Sequence, residues 1–294
     1  MQTRPMTWTT PLPGYAAPAG SGAPDAGPYV DALALEYQRL LNAGEFNVER
    51  KAQSFFERHP CLLPGSSGNS MRTGFSPWPS AVISQPPLPG LRKRVPDFLW
   101  IATDSAHLMP VFIEIERADK PWFTAGEVQS HELTQSIDQI VEWRSWFDQP
   151  GNREIFLRDY QIPTHMAQRA WKPEYILVHG RSTEFHGNPF LDRKRAQIQS
   201  DIKMMTFDSI SPNRNATDWG AVKLRSQGQY EAISVPATFS VIEGAPFTDV
   251  ARLDDIIDEC PDISAERKES LHETLIDLRK QRGPGVHVRV ARRR

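Results

Sequence analysis

Cysteine is scarce in this 294-residue sequence: Cys61 and Cys260 are the only two, far apart and in no CxxC or Cys/His spacing. That argues against a disulfide-built scaffold and a cysteine zinc site, and for a reduced intracellular protein. Long apolar runs are lacking as well. Nothing approaches the roughly 18 consecutive apolar residues of a membrane span, and the N-terminus lacks the charged-then-apolar order of a secretory signal. The expectation is a cytoplasmic protein with no membrane partner. Nor is there an excess of either charge, the formal net charge being -2. A nucleic-acid partner would have to be met by a local basic patch or through a metal. The sequence holds no internal repeat.

What is present is unevenly distributed proline and a few patterned stretches. Residues 1–28 hold Pro, Gly, Ala, Ser and Thr with few core-forming side chains, and are expected to be a flexible leader. From Tyr29 the spacing of Val30, Leu33, Leu35, Tyr37, Leu40 and Leu41 predicts a helix ended by Gly44. A second helix, with Asn47 as its cap and Phe55 and Phe56 inside, should stop at His59-Pro60. Between Pro64 and Gly90 lies a stretch rich in Ser, Gly and Pro, in which Trp78, Val82 and Ile83 are expected to pack locally.

The most informative stretch follows the basic triplet Arg92, Lys93, Arg94. Two strands are predicted, Val95 to Thr103 with Asp97 after Pro96, and Met109 to Arg117. Period-two alternation in the second puts Val111, Ile113 and Ile115 on one face, and Phe112, Glu114 and Glu116 on the other. Strand rise sets Glu114 and Glu116 about 6.6 Å apart at Cα, close enough for both side chains to converge on one cation. Like charges about 4 Å apart repel by roughly 4 kcal/mol at an effective dielectric of about 20, so carboxylates kept together suggest such a cation. Alternatively, the strand lies at a sheet edge and its glutamates face water.

A helix from about Glu127 to Phe147 follows, with a buried stripe of Leu133, Ile137, Ile140, Val141 and Trp146. His131, Gln135 and Gln139 recur at i, i+4 and i+8 on another face, able to reach a metal, water or phosphate. Tyr175 to His179 reads as a strand buried on both faces. A basic helix, Asp192 to Lys203, and a strand, Met204 to Phe207, then suggest a parallel crossover. Tyr230 to Val235 and Thr238 to Ile242 are weaker strand candidates, and Ser264 is a good cap for a helix reaching Gln281. The expected layout is a leader (1–28), a main domain (29–211), an α/β extension (212–282) and a basic tail (283–294) carrying Arg289, Arg292, Arg293 and Arg294.

This order of elements resembles the PD-(D/E)xK restriction-endonuclease-like core, an α/β fold with a mixed sheet flanked by helices. More narrowly it is similar to the Shedu family of bacterial antiphage nucleases, the domain of unknown function DUF4263. Four blocks carry the likeness: Phe55-Phe-Glu-Arg-His-Pro60 with Leu62-Leu63; Val95-Pro-Asp-Phe98; Phe112-Ile-Glu-Ile-Glu-Arg117; and Glu132-Leu-Thr-Gln-Ser-Ile-Asp-Gln139. Ile176-Leu-Val-His-Gly-Arg181 and Thr206-Phe-Asp-Ser-Ile210 add to it, so the likeness spans roughly Asn47 to Ile210.

The resemblance implies a metal-dependent endonuclease hydrolysing phage DNA, with Mg²⁺ or Mn²⁺ held by Asp97 and Glu114. Glu116 would be a third ligand or a general base. Gln135 and Gln139 would position water or phosphate, with Glu49 in an outer shell. Arg92, Lys93, Arg94 and Arg117 are the expected phosphate contacts, and the chain is expected to form a homo-oligomer, with a phage component as a conceivable trigger. One departure stands out: where the family pattern has E-x-K, this chain has Glu114-Ile115-Glu116. Lys120, four residues on, is the alternative source of the missing ammonium, but a loop lysine before Pro121 is expected to face solvent. The alternatives are a catalytically degenerate nuclease fold that binds DNA or a phage component, and a hydrolase of a small phosphoester.

Overall fold

Apolar strands at the middle of the chain form the centre of the computed structural model, which describes residues 10–66, 77–90, 95–198, 201–241, 247 and 250–281. In chain order the elements are α1 (Ala26–Asn42), α2 (Glu49–Arg58), β1 (Trp78–Ser84), β2 (Phe98–Thr103), β3 (His107–Ile115), α3 (His131–Phe147), α4 (Asn152–Asp159), α5 (Thr164–Ala167), β4 (Ala170–Trp171), β5 (Glu174–Val178), α6 (Pro189–Arg195), β6 (Lys203–Met205), β7 (Gly220–Leu224), β8 (Tyr230–Ser234), α7 (Leu253–Glu259) and α8 (Ala265–Gln281). The strands form one mixed eight-stranded sheet in the order β6-β5-β3-β2-β1-β7-β8, with β4 also paired to β3.

β3 runs antiparallel to β2 and parallel to both β4 and β5. Its even-numbered side directs backbone groups toward β4 and β5: Lys172 N–H donates to Leu108 O and Glu116 N–H to Val178 O. Pro110 has no N–H to give, and it falls in the gap between the stretch paired with β4 and the stretch paired with β5, so no rung is lost there.

Both sheet faces are covered, as the alternation along β3 requires. Phe112 joins the core formed with Leu133, Ile137, Ile140, Trp143 and Trp146 of α3, and Leu253, Leu271 and Leu275 of the C-terminal helices join the same core. Val111, Ile113 and Ile115 face the opposite core, built with α1 and α2. Every residue of β5 is buried, as its apolar run predicts. No helix among the described residues is long and apolar enough to cross a membrane.

Several expectations change. Val141 is exposed and Trp143 is buried in its place, because three residues beyond Ile140 keeps the stripe while one residue turns off it. Asn47 ends a short 3-10 turn, and Val48 holds the cap position of α2 without a side-chain hydrogen bond. α1 begins at Ala26, three residues before the expected start, behind Asp25, which accepts from Gly27 N at 3.0 Å, and Leu35 lies on its exposed side rather than its apolar face. α3 begins at His131, behind the Ser130 cap, and α6 ends at Arg195.

β1, expected only to pack locally, is a central strand between β2 and β7. A register shift between Trp78 and Ile83 accommodates Pro79 in it. β7 was not foreseen and pairs in parallel with β1, so the sheet runs across the expected division at 211/212. Residues 238–241 form no strand.

Part of the expected flexible leader is packed. Leu12 is 2% exposed, its N–H donates to Asp262 Oδ1 at 2.7 Å, and Arg58 Nη2 donates to Thr10 O at 2.5 Å. The buried side chains of Leu12 and Tyr15 and backbone bonds to distant side chains hold this segment, and composition reveals neither. Arg92, Lys93, Arg94 and the basic tail lie outside the described residues.

Candidate active site

Asp97 precedes β2 by one residue, where the ladder to β3 ends. Continuing the pairing of Phe98 with Ile113 brings Asp97 beside Glu114, at the end of the sheet next to α2. In place of a backbone carbonyl, Asp97 Oδ2 accepts the Ile115 N–H at 2.8 Å. Its own C=O accepts from Gln85 N at 2.8 Å, so the carboxylate is held on both sides of its backbone.

Glu114 is 7% exposed. Gln139 of α3 donates from Nε2 to its Oε1 at 2.5 Å, while Oε2 is buried with no hydrogen-bond partner. An ionised carboxylate oxygen left unpaired out of water is costly, on the order of several kcal/mol. Burial accordingly pushes the Glu114 carboxyl well above its ordinary range, and the neighbouring Asp97, Glu116 and Glu49 push it further, against Lys120, which lowers it. Burial likewise raises Asp97 to about 7, opposed by the Ile115 hydrogen bond and assisted by Glu49, Glu116 and Glu57.

Glu116 lies just beyond β3. Ser136 Oγ donates to its Oε1 at 2.5 Å, and Lys120 Nζ forms an ion pair with its Oε2. Ser136 and Gln139 are three residues apart on α3, so one helix face meets both glutamates. The start of α3 is fixed by Ser130, whose Oγ accepts from Leu133 N at 3.0 Å and donates to Pro121 O at 2.6 Å.

An open cleft of about 540 Å³ reaches Asp97 and is lined by Glu49, Arg50, Gln53, Gln85 and Arg117. A second, of about 430 Å³, opens beside Lys120, Arg181 and Glu184. A larger cavity, about 840 Å³, lies by Pro87–Gly90 and Arg225; none of the three acids lines it, so size does not mark the site here.

The fold thus brings together Asp97, Glu114, Glu116 and Gln139. Gln135 is exposed one turn earlier on α3, and Glu49 is exposed at the cleft rim. Arg117 is exposed and pairs with Asp119 at 3.2 Å. Lys120 does not face solvent as expected: its side chain is 21% exposed and turned onto Glu116. Ser136 was missed, although its spacing of three from Gln139 was readable. Among the described residues, no three His, Cys, Asp or Glu side chains form a ready-made metal cage. The hard oxygens of Asp97 and Glu114, one of them buried and unpartnered, nonetheless fit a small divalent cation that keeps most of its water.

Comparison with known families matches residues 47–210, more than half of the chain, to the family described as "Shedu protein SduA, C-terminal". Comparisons with curated proteins and with solved structures gave no match.

Proposed function

The chain belongs to the Shedu family, which links it to antiphage defence, and from that premise and the geometry of the acidic centre we propose that it is a metal-dependent endonuclease of the PD-(D/E)xK type. The observation that carries this reading is the buried, unpartnered Oε2 of Glu114 beside Asp97. Without a cation, burial and the repulsion between them favour the protonated form of both carboxyls, and a bound cation would remove that penalty.

Asp97 and Glu114 would hold Mg²⁺ or Mn²⁺, which when bound supplies a Lewis acid for the phosphate and acidifies water. Gln139 keeps Glu114 aimed inward through Oε1, and the Ile115 N–H does the same for Asp97. Arg50 and Arg117 line the cleft that reaches Asp97, where exposed guanidinium groups suit phosphate. The reaction adds one water across a phosphodiester. A P–O bond to the water oxygen forms as the P–O bond to the leaving sugar oxygen breaks, one water proton passes to solvent, and the leaving oxygen gains one. The openness of the cleft favours a polymer such as DNA over a small phosphoester, which a closed pocket would suit better.

The test is purified protein with plasmid and linear DNA plus Mg²⁺ or Mn²⁺, beside Asp97→Ala and Glu114→Ala. Nicking or linearisation by the wild type, reduced at least ~100-fold in both variants, supports the reading. Equal activity in all three removes the catalytic assignment. One observation favours the rival, a nuclease fold that binds DNA without cutting it: no three-residue cage stands preassembled among the described residues. DNA binding with no Mn²⁺ uptake by calorimetry would decide for that rival.

A further inference from the structure

Glu116 stands where a ligand or base was expected, but both of its oxygens are already engaged, Oε1 by Ser136 and Oε2 by Lys120. We infer that Lys120 is the catalytic cation of this centre, and that Glu116 is a positioning residue that holds it there rather than a metal ligand. The inference rests on the metal-dependent reading above.

The pair is not a loose surface contact. The two side chains are only 15% and 21% exposed, and Lys120 acts electrostatically on Glu114 as well. The backbone carrying Lys120 is fixed from several directions. Gly180 has φ +58, and a Cβ there would sit 2.5 Å from Lys120 O, so only glycine lets strand β5 exit beneath the loop. Pro121 O accepts from both Ser130 Oγ at 2.6 Å and His179 Nε2 at 3.1 Å. Trp122 is fully buried, its Nε1 donating to His179 O at 2.8 Å. Glu184 accepts from the N–H groups of Trp122 and Phe123, both at 2.8 Å. A loop built only to turn the chain has no need of so many restraints around a lysine.

Charge counting agrees. Asp97, Glu114 and Glu116 carry three negative charges when ionised, and Lys120 offsets one, leaving a deficit that one divalent ion balances. Lys120 thus enters from the loop four residues after Glu116, instead of from the strand. With an ion held by Asp97 and Glu114, its ammonium would stabilise negative charge on the attacking oxygen or the phosphate.

The test pairs a binding readout with single-turnover cleavage. Mn²⁺ calorimetry is run on wild type, Asp97→Asn, Glu114→Gln, Glu116→Gln and Lys120→Met. Asp97→Asn and Glu114→Gln should weaken binding by more than ~100-fold, Glu116→Gln by less than ~10-fold. Lys120→Met should bind Mn²⁺ at least as tightly as wild type, because a cation beside the ion is gone, yet cleave DNA ~100-fold more slowly. Returning a lysine to the strand in Glu116→Lys with Lys120→Met should recover at least ~10-fold of that loss. Loss of Mn²⁺ in Glu116→Gln as severe as in Glu114→Gln makes Glu116 a ligand and overturns the inference, as does wild-type cleavage by Lys120→Met; both results leave the metal reading intact. Absence of Mn²⁺ binding in the wild type overturns that reading and the inference with it.

Discussion

Glu114 and Asp262 are both carboxylates removed from water, 7% and 4% exposed, yet they are treated in opposite ways. Asp262 is satisfied within the protein: Oδ1 accepts from Leu12 N at 2.7 Å and Oδ2 from Arg58 Nη2 at 3.0 Å. One acid there meets one guanidinium, and the result ties residues 10–15, α2 and the approach to α8 together. Glu114 sits among Asp97, Glu116 and Glu49 with a single lysine nearby, and one of its oxygens has no partner. The first arrangement is complete without anything else. The second leaves a buried oxygen unsatisfied within the protein, and it is on that difference that the proposed cation site rests.

The strongest way to sharpen that contrast is to remove Asp262. Asp262→Ala takes away the buried partner of Arg58 and should cost about 3 kcal/mol of stability. Thermal unfolding should show a clear drop in Tm, and Mn²⁺ affinity of the folded protein should not change. A Tm near that of wild type would mean the junction is not a clamp.

pH separates the two regions next. Asp97 has its folded value raised to about 7 against an ordinary 3.8, so the folded chain binds more protons than the unfolded chain between those values. Its contribution to stability is fully present below about pH 4 and is lost as pH rises through 7. Metal-free wild type should therefore lose on the order of 2 kcal/mol relative to Asp97→Asn between pH 5 and pH 8. Unfolding curves at those two pH values measure this directly, and a constant difference between the proteins would show that Asp97 ionises at its ordinary value. Added Mn²⁺ should stabilise wild type more at pH 8 than at pH 5, since the ion competes with protons for the same oxygens.

The smallest effect is expected at Gln139. Gln139→Ala takes the donor from Glu114 Oε1 and leaves both oxygens of that carboxyl unpartnered, a cost of about 1 kcal/mol. Chemical denaturation of the metal-free protein should detect it, and the cost should shrink when Mn²⁺ is present. A variant as stable as wild type without metal would show that Glu114 does not depend on Gln139.

Much of the centre is legible before folding because its signals are local. Glu114 and Phe112 share a face because a strand has period two, and Pro96-Asp97 announces the start of the apolar run that pairs with it. Gln139 could be placed on a helix face by counting turns. Lys120 could not, since its direction depends on a loop shaped by Gly180, His179 and Ser130, residues up to sixty positions away. β1 and β7 were hidden for a related reason. Their apolar cores, Ala81-Val82-Ile83 and Ala221-Val222, are too short to stand out, and they are strands because each completes the other's hydrogen bonds.

The chain's local patterns were thus enough to name Asp97 and Glu114 as partners on adjacent strands and to bring α3 alongside them. They were not enough to say what Glu116 does. That depended on which groups arrive from elsewhere: Ser136 from the helix and Lys120 from the returning loop. A carboxylate is defined chemically by the charges and donors around it, and those are brought within reach of Glu116 only when the sheet, the helix and the loop have packed.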